Sequence, residues 1–204
     1  MNPSQKISLV MATFNGQRFL REQLDSIYSQ TLVPNEVIVV DDCSKDATVD
    51  ILKEYSLKYG LKYFVNETNL GVNGNFEKAL SLAKGEYICI SDQDDVWFKD
   101  KIERSFLKLK EIENDAPACV SSNVLSVDSN LMNVVKKAKL PKKNEINEVI
   151  YNNGSQGCTL MFNKKMKELI LPLSKYFIYD HFIGIFAYFV GERFFIEEPL
   201  MFYR

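Results

Sequence analysis

The chain is expected to adopt an α/β fold: a mostly parallel central sheet with helices on both faces. Three observations predict it. Apolar strand-like runs and amphipathic helical patterns alternate four times in the first hundred residues, the signature of a parallel sheet joined by crossover helices. The runs are short and continuous, as in Glu36 to Val40, which fits strands buried on both faces. Several of them end abruptly in Asn, Asp, Ser or Gly, the residues of turns.

Ile7 to Met11 reads as the first buried strand. Gln17 to Ser29 follows as a helix, because Phe19, Leu20, Leu24 and Ile27 recur at helical spacing. Glu36 to Val40 is the second strand, and Ser44 or Asp46 can cap the helix after it, which runs to about Tyr59. Lys62 to Val65 is a short third strand. Asn75 to Ala83 is helical, with Lys84 and Gly85 as its C-terminal stop. Tyr87 to Ser91 forms the fourth strand and Asp100 to Asn114 another helix.

The second half is less regular. Strands are expected at Ala118 to Ser121, Thr159 to Phe162 and Arg193 to Ile196, with helices at Lys164 to Ile170 and Tyr179 to Phe189. Residues 136 to 148 read as an insertion or loop. It carries Lys136, Lys137, Lys139, Lys142 and Lys143 around Pro141; this is a solvated loop or a basic loop meeting an acceptor or membrane surface. No internal repeat or low-complexity tract is apparent.

At 204 residues the length suits one domain, or one domain with an insertion. A hydrophobic content of 46% is enough for a sizeable core. The net charge of −2 gives no reason to expect a nucleic-acid partner. Cys43, Cys89, Cys119 and Cys158 are far apart in sequence, so no short zinc-binding pair exists. Cys89 and Cys119 lie in apolar runs and read as buried thiols. A reducing cytoplasm is the expected compartment, and the N-terminus leads straight into a strand without a secretory leader. The most apolar stretch, Tyr176 to Gly191, contains Asp180 and His181 and is too short to span a bilayer. The aromatics of the last quarter, such as Phe182, Phe186 and Phe189, are assigned mainly to core, with some available for a membrane or partner patch.

Three strands end in polar signals: Thr13, Phe14, Asn15 and Gly16 after the first, Asp41, Asp42, Cys43 and Ser44 after the second, and Asp92, Gln93, Asp94 and Asp95 after the fourth. In a parallel sheet these ends share one edge, where ligands bind. Crowded carboxylates repel unless a cation or proton intervenes, and their oxygens suit Mg²⁺ or Mn²⁺. Taken singly, each signal also fits a polar turn with an acidic helix cap.

In combination these pieces resemble family 2 of the glycosyltransferases, which adopt the A-type nucleotide-sugar fold. The match runs through Ile7 to Asn15, then Glu36 to Asp42 with Ser44 and Asp46. It continues with Asn69 to Gly71 leading to Asn75, Gly85 to Tyr87, and Asp92 to Asp94. The later segments are similar to the bacterial rhamnosyltransferase-like branch: Asp92 to Trp97, Gly157 to Thr159, Phe162 with Asn163, Tyr179 to His181, Glu198 to Leu200, and Tyr203 with Arg204. The resemblance implies a single catalytic domain over 1–204. Residues 1–100 or so would bind the nucleotide sugar and the remainder the acceptor. Members of the branch continue past the Tyr-Arg pair with a His-containing segment, so the acceptor half is expected to be cut short at Arg204.

The resemblance also implies roles. The donor is a UDP- or dTDP-sugar. Phe14 would flank its base, Thr13 and Asn15 would line the nucleotide pocket, and Asp42 would read the pyrimidine N3–H with Asp41 beside it. Asp92 would contact the ribose or the water shell of a metal, and Asp94 would ligate Mg²⁺ or Mn²⁺, which offsets charge growing on the diphosphate. Asp95 is assigned to support or capping. Asp180 would be the base for the acceptor hydroxyl, with the adjacent His181 as the other candidate. Gly157 would let the backbone approach the sugar. A single base without a protein nucleophile implies inversion. The acceptor would be a glycan or lipid-linked hydroxyl in surface polysaccharide synthesis, with rhamnose or another hexose transferred. Peripheral membrane association at the inner face stays open, as does oligomeric state.

Two alternatives remain at this level. Asp92 to Val96 fits the nucleophile motif of a haloacid dehalogenase-type phosphatase, with Asp92 phosphorylated and Asp94 as acid/base. That motif normally opens its domain, whereas here two full βα units, and a third with a short strand, precede it. The other alternative is a non-catalytic binding protein on the same fold. A dinucleotide oxidoreductase is not supported, since no Gly-x-Gly-x-x-Gly loop follows the first strand.

Overall fold

A computed structural model describes residues 6–112, 116–137 and 156–204. The first half is a regular α/β unit: β1 (Ile7–Thr13), α1 (Leu20–Tyr28), β2 (Glu36–Asp41), α2 (Thr48–Tyr59), β3 (Lys62–Val65), α3 (Gly71–Leu82) and β4 (Tyr87–Ser91). After it come β5 (Val96–Trp97), α4 (Lys101–Leu109), β6 (Ala118–Val127) and β7 (Val134–Lys137). A 3₁₀ turn (Gly157–Thr159), β8 (Met161–Asn163), α5 (Lys164–Ile170), α6 (Tyr179–Val190) and β9 (Glu192–Tyr203) complete the described chain.

The nine strands among the described residues form one sheet in the order β3-β2-β1-β4-β8-β6-β9-β5, with β7 on the far part of β6. β3, β2, β1 and β4 are parallel to one another. β8 runs antiparallel between β4 and β6, and β9 runs parallel to β6. The parallel half is therefore as the alternation predicts, and the second half is mixed.

Strand periodicity divides the core. Ile7, Leu9 and Met11 of β1, with Val37 and Val39 of β2, pack against Leu24 of α1, Leu52 of α2 and Ile102 of α4. Val10 of β1, with Ile38 and Val40 of β2, meets Phe76 and Leu80 of α3, Met166 of α5 and Ile183 of α6. Successive side chains on a strand point to opposite faces, so one apolar run serves two layers of helices.

Several boundaries differ from expectation for tertiary reasons. α3 begins at Gly71 rather than Asn75, because Gly71 takes a left-handed φ of 72° and its N–H is received by Asp42. Gly85 does not stop that helix, which ends in an extended Ala83. Instead, a Cβ at Gly85 would lie 2.6 Å from the Ser8 backbone nitrogen, so the glycine permits close approach to β1. β6 and β9 are longer than their apolar cores because they pair with each other along most of their length. β5 and β7 are too short to read as strands and exist through their partners β9 and β6. Lys136 and Lys137 belong to β7 rather than to a loop, while 138–148 lies outside the described residues. The helix expected up to Asn114 ends at Leu109.

The four cysteines are free thiols, and Cys89, Cys119 and Cys158 are buried. No described helix is long and apolar enough to cross a membrane. Phe182 and Phe186 pack against the core, whereas Tyr176, Phe177, Ile178 and Phe189 are exposed.

Candidate active site

Parallel pairing sets Thr13 beside Asp41 and Met11 beside Ser91, so the loops after β1, β2 and β4 leave the sheet at one edge. They surround a cleft of about 480 Å³ lined by Thr13, Phe14, Asp42, Asp92, Gln93 and Asp94, among others. The wall includes Gly71, Val72 and Asn75 from α3, and Tyr203 and Arg204 at the end of β9.

The β2 end divides its two carboxylates. Asp41 is fully buried and knits loops: it accepts from the Thr13 hydroxyl (3.0 Å), the Ser44 hydroxyl (2.5 Å) and the Ser44 amide (2.9 Å). It is not part of the cleft wall, and neither is Asn15. Asn15 holds a left-handed φ of 48°, donates its amide to Ser44 Oγ and accepts from the Lys45 amide. Asp42 does face the cleft. Its Oδ1 accepts from the Leu70 amide (2.8 Å) and Asn66 Nδ2 (2.8 Å), and its Oδ2 from the Gly71 amide (2.9 Å). A carboxylate offers about four acceptor sites, so one remains on Oδ2. Asp46, rather than Ser44, serves the start of α2 by accepting from the Thr48 amide.

Phe14 is 48% exposed, a high value for an aromatic on a cleft wall. Its backbone is gripped by Gln93, whose Oε1 accepts the Phe14 N–H (3.0 Å) and whose Nε2 donates to the Phe14 carbonyl (3.1 Å). Sequence reading missed Gln93, because its partner lies 79 residues earlier.

The acidic loop after β4 is crowded. Burial raises the Asp92 carboxyl to about 6, and the charges of Asp94 and Asp180 add to the shift. Asp94 is also raised, mainly by burial. Asp95 is fully buried and pushed up to about 8 by burial and by its acidic neighbours. Among the described residues its Oδ2 has no hydrogen-bond partner. Asp92, Asp95 and the Cys158 thiol bring ligand atoms within 4.8 Å of one another. The hard carboxylates of Asp92 and Asp95 fit a divalent cation of the Mg²⁺ or Mn²⁺ type; Asp94, the ligand the resemblance implies, is not in this group and lines the cleft wall. Asp95 therefore belongs with the acidic group more closely than a capping residue would.

β5 pairs antiparallel with Met201 and Phe202 of β9, and that pairing delivers Tyr203 and Arg204 to the acidic loop. Arg204 Nη1 donates to the Asp94 carbonyl (2.6 Å), its Nη2 pairs with Glu22, and its guanidinium lies 4.6 Å from the centre of the Phe19 ring. Burial beside these acids raises the Tyr203 hydroxyl to about 12.

Asp180 sits in the first turn of α6, outside the cleft wall but near enough to Asp92 for its charge to act there. Its oxygens accept from the Gly157 amide (3.1 Å) and the His181 amide (2.7 Å). His181 packs edge-on against Phe177. Gly157 is buried, and the place a side chain would take is filled by the Tyr179 ring, whose hydroxyl lies 1.9 Å from that Cβ position. The glycine thus admits Tyr179, which packs at a tilt of 33° against the Phe76 ring and sets its hydroxyl 3.5 Å from Asp92. Asn73 of α3 fastens the approach to α6: it donates to the carbonyls of Ser174 and Phe177 and accepts from the Tyr179 amide. No local pattern announces Asn73, since its partners lie about a hundred residues later.

Residues 8–189 match the family model of glycosyl transferase family 2. The dTDP-rhamnosyl transferase RfbG of Shigella flexneri is 33% identical over 214 residues, covering 95% of this chain and 71% of that protein. Two solved structures share the fold. Staphylococcus aureus TarS 1–349 in complex with UDP superposes with a TM-score of 0.77 at 23% identity, over 98% of this chain and 60% of that one. The mannosyltransferase PcManGT from Pyrobaculum calidifontis, in complex with GDP-Man and Mn²⁺, gives 0.72 at 19% identity, over 99% and 57%.

Proposed function

We propose, for a chain that belongs to glycosyl transferase family 2, that the cleft binds a nucleoside diphosphate sugar and that the sugar is passed with inversion to an acceptor hydroxyl. The observation that carries this reading is the convergence of Asp42, Asp92 and Asp94, from two strand ends, on one cleft with an aromatic wall at Phe14. The relative named a dTDP-rhamnosyl transferase, the neighbour in complex with UDP, and the neighbour in complex with GDP-Man and Mn²⁺ support a nucleotide-sugar donor. Membership of the family leaves the phosphatase and binding-protein alternatives without a feature in their favour.

In this reading Phe14 covers the base and Thr13 shapes the floor beside it. Asp42 offers its remaining lone pair to a base N–H. Asp94, with Asp92 and Asp95 behind it, holds a divalent cation, which when bound offsets the negative charge of the diphosphate. Asp180 accepts the proton of the acceptor hydroxyl as that oxygen bonds to the anomeric carbon. The bond from that carbon to the diphosphate breaks, and its electron pair leaves with the diphosphate. The backbone amides on Asp180 keep its lone pairs aimed without neutralising it. His181 holds the segment through Phe177. The acceptor is a glycan or lipid-linked hydroxyl of surface polysaccharide synthesis. The four free thiols suit a cytoplasmic setting. Exposed Tyr176, Phe177 and Ile178 suit peripheral contact with the inner face of the membrane.

A thermal-shift screen tests the reading. UDP-, dTDP- and GDP-sugars are added with and without Mn²⁺, since a ligand bound to the folded state raises its melting temperature by mass action. A rise for at least one donor that depends on Mn²⁺ is expected. No shift with any donor at millimolar concentration sinks the proposal.

A further inference from the structure

We propose that Gln93 is a positioning residue that fixes the span between the base-covering wall and the acidic end of the cleft, an inference that rests on the cleft being a donor site. Its carboxamide has one accepting and one donating end, and both are committed to the backbone of a single residue, Phe14. That is the pairing a neighbouring strand would provide, made here by a side chain where β1 has already ended. The residues on either side of Gln93 are the cleft carboxylates Asp92 and Asp94. A shift of Phe14 is therefore transmitted to the acidic loop through two hydrogen bonds, and the reverse.

A second feature is built around the same side chain. A Cβ on Gly16 would stand 2.2 Å from Gln93 Oε1 and 2.7 Å from its Cδ. Glycine at that position leaves the seat that Gln93 occupies. Asparagine, one methylene shorter, falls short of Phe14. Glutamate could accept the Phe14 N–H but has no donor for the carbonyl, and it would add a third charge between two crowded carboxylates. Gln93, Gly16 and Phe14 together set how far the base wall stands from the diphosphate end. Holding the two ends of a ligand site at a fixed separation lowers the ordering cost of binding.

The test compares wild type with Gln93→Ala, Gly16→Ala, the double variant Gly16→Ala/Gln93→Ala, and Phe14→Ala alone and combined with Gln93→Ala. Calorimetry with UDP, dTDP and GDP in the presence of Mn²⁺ gives affinities, and melting of the ligand-free proteins reports on the fold. Gln93→Ala is expected to weaken the preferred nucleotide about tenfold, the scale of one to two net hydrogen bonds, with a ligand-free melting temperature near that of wild type. Gly16→Ala should reproduce the loss, and the double variant should be no worse than either single one. Phe14→Ala should cost less affinity when Gln93 is already gone, a coupling that a purely structural role would not produce. Unchanged affinity in Gln93→Ala overturns the proposal while leaving the donor site intact. So does an affinity loss that only follows a collapse in melting temperature. If wild type binds none of the three nucleotides, the donor-site reading fails and this inference fails with it.

Discussion

The Asp42 carboxylate receives the Gly71 backbone N–H at 2.9 Å and, through its other oxygen, the Leu70 N–H at 2.8 Å. These amides open α3, so the negative charge sits where the helix exposes unpaired donors and its positive dipole end. The same helix fastens the α6 approach through Asn73. One turn of helix thus connects the proposed donor pocket with the segment carrying Asp180.

Asp42→Asn keeps the shape but replaces one accepting oxygen with a donor: either the Leu70 amide and Asn66 Nδ2 lose their acceptor, or the Gly71 amide loses its charged acceptor and keeps only Asn69 Oδ1 at 3.1 Å. The expected cost is about 1–3 kcal/mol of stability, with weaker nucleotide binding. Urea unfolding measures the first effect. A change below about 0.5 kcal/mol would show that the contact is not holding the helix.

The strand cores, the two-sided burial and the strand-end carboxylates were legible because each is local: an apolar run, then a polar residue. Asp42, Asp92 and Asp94 follow from that pattern. Asp41 looks identical in sequence yet turns inward, since strand alternation sends neighbours to opposite sides and Ser44 and Thr13 wait there. Gln93, Asn73 and Arg204 act on backbone groups 79 to 110 residues away, so no window of sequence contains both partners. Gly85 and Gly157 read as a helix stop and a sugar contact, but their lack of a Cβ answers to Ser8 and Tyr179.

Two glycines separate packing from backbone strain. Gly85→Ala puts a methyl 2.6 Å from the Ser8 nitrogen and 2.8 Å from the Lys6 carbonyl, both backbone atoms that cannot swing aside. It should cost about 2–3 kcal/mol. Gly60→Ala meets open space and bears only the penalty of its left-handed φ of 73°, about 1 kcal/mol. Equal losses in thermal unfolding would contradict the assigned approach of β1 to residue 85.

Glu36 supplies a pH test away from the cleft. Burial alone would raise its carboxyl, but the Ser8 hydroxyl, the Lys84 amide and Lys62 together hold it below the ordinary 4.5. A depressed folded value means the stabilisation is fully present above the unfolded value and is lost as pH falls through the folded one. Glu36→Gln should therefore be less stable than wild type at pH 7, and the difference should shrink as pH drops below 4.5. A difference that grows on acidification reverses the sign and refutes the assignment.

Asp180→Asn removes the proposed base while keeping its size and one accepting oxygen for the backbone amides. Transfer should fall by roughly 10²–10⁴ with donor affinity preserved, because Asp180 lies outside the cleft wall. His181→Ala should be milder. The assay uses a protein that includes any sequence following Arg204. Near-normal transfer in Asp180→Asn, with loss in His181→Ala, would exchange the two roles.

The central claim is that the cleft between Phe14 and Asp94 holds a nucleoside diphosphate together with a divalent cation. Crystals grown with Mn²⁺ and the nucleotide that binds best, with diffraction recorded near the manganese absorption edge, test it directly. The account predicts an anomalous peak within coordination distance of the Asp94 carboxylate, about 2.0–2.2 Å for an oxygen ligand of a small divalent ion. It also predicts the base against Phe14 beside Asp42, and Asp94→Asn should abolish the peak. A nucleotide bound elsewhere on the molecule, or bound in the cleft with the anomalous peak unaffected by Asp94→Asn, would contradict it.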